Sequence, residues 1–161
     1  MNHFENFIAI IKDKVDILAL MLYKEKLAKL SDEEIVKLVN IDFKSPLVGL
    51  LLGIIPALCF GGLSFDRLYK GDIKLGIVKI LLWFWMLVNC FIAFLFLWDD
   101  SGSIREYIHL MISSLLLSVS ILFIWNLIDF FLVWQGIKKD NLMKIIQFLE
   151  QNDENFIGNK Q

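Results

Sequence analysis

Arginine, proline, cysteine and histidine each occur only twice in the 161 residues, and each scarcity narrows what the chain does. Cys59 and Cys90 both lie inside apolar runs, where a free thiol behaves as a small hydrophobe. They are expected to be buried and packed rather than to form a disulfide or ligate a metal. His3 and His109 are far apart and have no acidic or cysteine neighbours at ligand spacing, so no zinc site is expected. The formal net charge is -2, with the signs interspersed, and the basic stripe of a nucleic-acid surface is lacking. No nucleophile with its base, no phosphate-cradling loop and no metal cluster can be picked out, so neither an enzyme nor a bound cofactor is expected. The first 22 residues are interrupted by Lys12, Asp13, Lys14 and Asp16 and lack the apolar core and small-residue cleavage site of a signal peptide.

Apolar residues, by contrast, are abundant. They make up 57% of the chain, and the mean hydropathy of +0.63 exceeds what a soluble globule of this size needs. Charge concentrates in the first 44 residues, in 61–71, in 99–106 and after 135. The intervening segments predict an all-α integral membrane protein with about three transmembrane helices, near 46–65, 75–98 and 107–135. Amphipathic helices are expected at both ends. The division is then a helical N-terminal region 1–43, a membrane domain 44–137, and a short helix and tail 138–161.

Within region 1–43, Phe7, Ile8, Ile11, Val15, Leu18 and Leu22 recur at helical steps. Ser31 with Glu34 forms a capping-box signature ahead of Ile35, Leu38 and Val39, and the pair of segments reads as a helical hairpin. Pro46 suits the first turn of the first crossing, and Pro56 predicts a kink in its middle. Gly49 and Gly53 form a Gly-x-x-x-Gly groove, matched by Ser114 and Ser118 on the third run, for close packing within the chain or with a second copy. After residue 135, Leu142, Ile145, Ile146 and Leu149 predict a separate amphipathic helix.

The ionisable residues near the apolar runs are the candidate site. Asp129 lies inside the third run, where a charge costs about 2.5–3.5 kcal/mol and so demands a partner. Asn126 is three residues earlier on the same helical face. Lys79 is near the start of the second run, where it can snorkel to the headgroups or neutralise Asp129 within the fold, and Trp83 and Trp85 fit an interfacial belt. Arg67, in the turn 61–71, either caps the first membrane helix and touches lipid phosphates or pairs with Asp129 or Asp66. Gly71 and Gly76 relieve the return of the chain, and Tyr69 suits an interface.

Lys44-Ser45-Pro46, Gly61-Gly62-Leu63, Asp66-Arg67-Leu68-Tyr69, Gly71, Leu75-Gly76-Ile77-Val78-Lys79 and Ile124-Trp125-Asn126-Leu127-Ile128-Asp129 together resemble the two-transmembrane-helix (TM2) domain family. Leu68 stands in place of the usual phenylalanine, and 82–123 is much longer than the family's connection. The resemblance implies that Asp66, Arg67, Tyr69, Gly71, Gly76, Lys79, Trp125 and Asp129 are pattern positions and that none is catalytic. The apolar runs predict a multi-pass protein, expected in the bacterial cytoplasmic membrane, and the lack of a catalytic constellation together with the close-packing motifs on two membrane helices favours a non-enzymatic helix-packing or interaction module. The bilayer, a second copy or another membrane protein are the expected partners. A small transporter or ion-conducting protein using Asp129, Asn126 and Lys79 is the alternative. The positive-inside rule favours the 61–71 turn on the cytoplasmic side, whereas a re-entrant apolar run would leave both termini there.

Overall fold

The computed structural model describes the backbone of residues 3–97 and 105–158 and the side chains of 5–95 and 109–153. Among the described residues every regular element is a helix: α1 (His3–Ile11), α2 (Ile17–Met21), α3 (Lys24–Ala28), α4 (Asp32–Val39), α5 (Pro46–Phe60), α6 (Phe65–Lys70), α7 (Ile73–Leu97) and α8 (Arg105–Gly158). The chain forms two compact units, one of residues 1–48 with 134–161 and the other of residues 49–133. Positions 99–104 of the charged loop expected at 99–106 lie outside the described residues.

The first unit has a core of the kind found in water-soluble domains. Phe7, Ile11, Val15, Leu20, Leu27, Ile35 and Leu38 pack with Phe43 and with Ile145 and Leu149 of α8. Instead of one hairpin, four short helices supply this core. Asp16 caps α2 by accepting from the Leu18 amide at 3.0 Å, which ends the first apolar stripe earlier than its spacing suggests. At α4 the capping box forms: the Ser31 amide donates to Glu34 Oε2 at 2.7 Å and the Glu34 amide to Ser31 Oγ at 3.3 Å. Asn141 of α8 is buried and pins two backbone segments. It donates to the carbonyls of Lys14 and Lys44 at 2.8 Å each and accepts from the Lys44 amide at 3.1 Å.

The second unit contains most of the apolar segments. Two helical stretches, Ile73–Leu95 and His109–Asp153, are long and apolar enough to cross a membrane. The expected first crossing at 46–65 is only a 15-residue helix, about 22 Å long against the roughly 30 Å of a hydrocarbon core. It runs through Pro56 and stops at Gly61 and Gly62, whose φ values of 75° and 119° only glycine adopts without strain. Trp83 Nε1 donates to the carbonyl of Phe60 at 2.6 Å and satisfies one of the groups freed at that end.

Two further expectations are corrected by the structure. Cys59 and Cys90 are exposed rather than buried, lying beside exposed Leu58, Phe60 and Phe91 on the outward sides of α5 and α7. The last amphipathic segment is also no separate helix, since α8 continues through Gly136 to Gly158. One glycine costs about 1 kcal/mol relative to alanine in a helix interior. The buried Ile137, Asn141, Ile145 and Leu149 continue at four-residue steps and offset it. Lys138 Nζ also stands 5.1 Å from the Trp134 ring, a contact across Gly136 that needs helical spacing.

Candidate functional site

The 61–71 turn is not a solvated loop. Six of its residues form α6, and the side chains of Asp66 and Arg67 on that helix are buried. Beyond the helix end, Gly71 takes φ 106°, and the amides of Gly71 and Asp72 both donate to the Arg67 carbonyl, at 2.9 and 3.0 Å. This left-handed cap turns the chain back so that Asp72 Oδ2 accepts from Arg67 at 2.8 Å and also from Lys70.

Arg67 directs the rest of its fork inward. Its Nε donates to Asp129 Oδ1 at 2.8 Å, and a terminal nitrogen donates to the same oxygen. Lys79 does not snorkel: it is 0% exposed and joins α7 to both carboxylates. Its Nζ lies 3.0 Å from Asp66 Oδ2 and 2.8 Å from Asp129 Oδ2. Lys79 follows Gly76 by three residues on the one buried stripe of α7, so the stem points between α6 and α8, and the two anions there hold the ammonium more strongly than the headgroups would.

Three anions (Asp66, Asp72, Asp129) thus meet three cations (Arg67, Lys70, Lys79), and the formal charges cancel within the group. At its rim, burial would lift the Asp72 carboxyl, but hydrogen bonds and charge from Lys70 and Arg67 outweigh it and hold the group below the usual carboxylate range. At Asp66 burial prevails over the opposing charge of Lys79, and the carboxyl is raised.

The other candidate residues divide between this cluster and its supports. Gly53 is where α5 comes close: a Cβ there would stand 3.1 Å from the Phe130 ring and 3.2 Å from Asp66 Oδ2. Gly49, on the same helix, is buried. Gly76 admits Ser64, whose Oγ would be 3.3 Å from a Cβ at that position. Trp125 is half-buried and, with Arg67, Leu75 and Asp129, lines a cavity of about 470 Å³. Tyr69 is half-buried on α6. Ser114 Oγ donates to Asn89 Oδ1 at 3.0 Å, tying α8 to α7, while Ser118 Oγ turns back to the Ser114 carbonyl at 2.8 Å. Asn126 is buried apart from the charges, with Nδ2 at 3.4 Å from the Gly61 carbonyl, and a Cβ on Gly62 would meet that nitrogen at 2.7 Å.

Asp72, Lys70 and Asn89 belong to this arrangement and were not among the residues singled out from the sequence. Asp72 carried one usable signal, its place directly after a glycine that ends a helix bearing an arginine. Asn89 carried another, a lone amide inside an apolar run.

Among the described residues no group of three or more histidine, cysteine, aspartate or glutamate side chains is placed to hold a metal ion. Comparison of the chain with protein-family models, with curated proteins and with solved structures finds no match.

Proposed function

We propose that the chain is a small multi-pass integral membrane protein of the two-transmembrane-helix domain kind, working as a non-enzymatic helix-packing and interaction module. The observation that carries this reading is the state of Asp129. Both its oxygens are occupied, one by Arg67 and the other by Lys79, in a group whose charges cancel. An ion route needs a carboxylate free to exchange partners, and a catalytic acid or base needs access to a substrate. A carboxylate 1% exposed and doubly paired serves neither purpose and suits a fixed junction of α6, α7 and α8. The outward faces support a lipid setting: Leu81, Phe84, Trp85, Phe91, Leu116 and Leu117 are all exposed, an apolar surface that water would not tolerate at this extent.

The test is made in native membranes. The protein should remain in the pellet after alkaline carbonate extraction, and crosslinking should recover it with a partner or a second copy. Recovery of lone monomers at every expression level would reject the interaction module. Proteoliposomes of wild type and Asp129→Asn test the transport alternative, and the junction reading expects no flux above empty vesicles from either.

A further inference from the structure

The first unit closes its core yet leaves an apolar face uncovered. Asp16 caps α2, and from there Ile17, Leu18, Met21 and Leu22 recur at steps of one and four residues, which places them on one side of the helix. Leu20 turns inward and is 3% exposed. Leu22 keeps helical backbone as the C-cap, so it stays in line with Leu18. These two leucines, 78% and 83% exposed, are the most exposed large apolar side chains described in this unit. Apolar residues scattered singly on a surface need no explanation, but a cluster on one helix face beside a finished core marks a docking surface. Next to it runs a groove of about 240 Å³ lined by Ile8, Ile17, Leu20, Met21, Lys24 and Leu27. Ile17, Met21 and Lys24 are exposed, so the groove opens on the same face.

Charge and chain connection select the occupant. Residues 12–29 carry five lysines and three acids, a positive balance in a chain whose net charge is -2. Asp16 is engaged with the Leu18 amide and Lys26 with Asp153, while Lys24 borders the groove and has no ion-pair partner among the described residues. Apolar side chains with a lysine at their edge suit the headgroup layer of a membrane, where the side chains sink below the phosphates and the ammonium stays among them. The covalent path agrees. The first unit passes into the second inside α5 and again inside α8, with no linker at either place, so it cannot leave the surface of a bilayer that those helices enter.

We propose that α2 and its groove dock on an anionic lipid surface, with Leu18, Met21 and Leu22 inserted among the acyl chains and Lys24 at the phosphates. The inference rests on the membrane reading above and adds a second lipid contact, made by the unit whose core is of the water-soluble kind.

The experiment uses the full chain with Cys59→Ala and Cys90→Ala, reconstituted in vesicles of phosphatidylcholine and phosphatidylglycerol. A nitroxide is placed on Leu22→Cys, and on Glu33→Cys of α4 as the water-facing control; both positions are exposed, so the core is untouched. Docking makes the label at 22 accessible to oxygen and shields it from a water-soluble nickel chelate, with the reverse at 33. Lys24→Gln should lower the ratio of docked to free spectral components about fivefold, the worth of one lysine beside an anionic surface. Access of the chelate to position 22 equal to that at 33 overturns the inference. So does shielding from both reagents, which marks a protein partner or a second copy over α2. Equal docking in phosphatidylcholine alone, or an unchanged ratio in Lys24→Gln, overturns the choice of an anionic surface. Carbonate extraction of the same vesicles reports the membrane reading separately: protein that stays in the pellet with position 22 in water defeats this inference alone.

Discussion

If Asp129 is the keystone of the junction, removing it and removing Arg67 must interfere with each other. Asp129→Ala strips Lys79 of its shorter contact and Arg67 of its inward one, leaving Lys79 on Asp66 and Arg67 on Asp72. Breaking a buried ion pair by deleting one partner costs about 3–5 kcal/mol. Arg67→Ala leaves Asp129 with Lys79 and Asp72 with Lys70, so it falls at the low end, about 3 kcal/mol. With about 4 kcal/mol for Asp129→Ala, the sum is about 7 kcal/mol. The double variant destroys the shared contact only once and leaves neither charge stranded against the other, so it should lose about 1–3 kcal/mol less than the sum. The assay is unfolding by sodium dodecyl sulfate in mixed micelles, followed through tryptophan fluorescence, since Trp125 flanks Asp129's turn of α8 and Trp83 lies on α7. A double variant that equals the sum within about 0.5 kcal/mol refutes the coupling, and with it the reading of the cluster as one unit.

Two other measurements follow from the same geometry. Asp72, with its carboxyl held below the ordinary 3.8, adds stability that is fully present above that value and is lost as pH falls through its lower folded value. The midpoint advantage of wild type over Asp72→Asn should therefore shrink in acid below pH 3.8, and an advantage that grows there contradicts the ion pairs at the rim. Asp66 is raised, so its contribution runs the other way, present below 3.8 and fading as pH rises through its folded value; keeping Asp66 in both proteins cancels it from the comparison. In the first unit, Asn141→Leu removes the partner of one amide and two carbonyls and should cost about 1–3 kcal/mol for the backbone groups left unpaired. Faster amide exchange around Lys14 and Lys44 is the readout, and unchanged protection there would show the asparagine to be dispensable.

The sequence revealed the helices better than their ends, and the partners of Arg67 better than the depth of the site. Apolar periodicity and the Ser31–Glu34 capping box are local signals, and both reappear as helical stripes and hydrogen bonds. The charges of α6 were misleading because hydropathy treats a cluster of Asp, Arg and Lys as wet wherever it stands. Burial is offset only through Lys79, 13 positions from Asp66, and Asp129, 62 positions from Arg67, beyond the reach of local spacing. Lys79 was open to two readings from sequence, because snorkelling is the default near a helix end only when no anion waits inside. The end of α5 at Phe60 depended on two glycines with positive φ, which were visible as Gly61-Gly62 but were assigned to the following turn. At residue 135 the opposite holds: the apolar run ends there in the sequence, yet the buried stripe runs on in phase through Ile137, Asn141, Ile145 and Leu149.

On the proposed membrane reading, charged residues at this junction do something that apolar packing does not do in lipid. Acyl chains are as apolar as leucine, so the burial of leucine against leucine gives little preference for one helix arrangement over another. Replacing a buried ion group by well-packed apolar residues is often neutral or stabilising, and stability alone therefore does not account for six charges in one place. Direction accounts for them better. Arg67 reaches Asp129 with one part of its fork and Asp72 with another, so the rotation of α6 is fixed by two carboxylates on different segments. Lys79 in turn needs Asp66 from α6 and Asp129 from α8 together, and a one-residue slip of α7 would move its ammonium about 100° around the helix and away from both. An apolar stripe slipped in the same way would still find apolar neighbours. The cluster thus makes the incorrect registers costly, each leaving at least one charge unpaired in a dry interior, and this penalty on alternatives holds short α6 in place beside two helices long and apolar enough to cross a membrane.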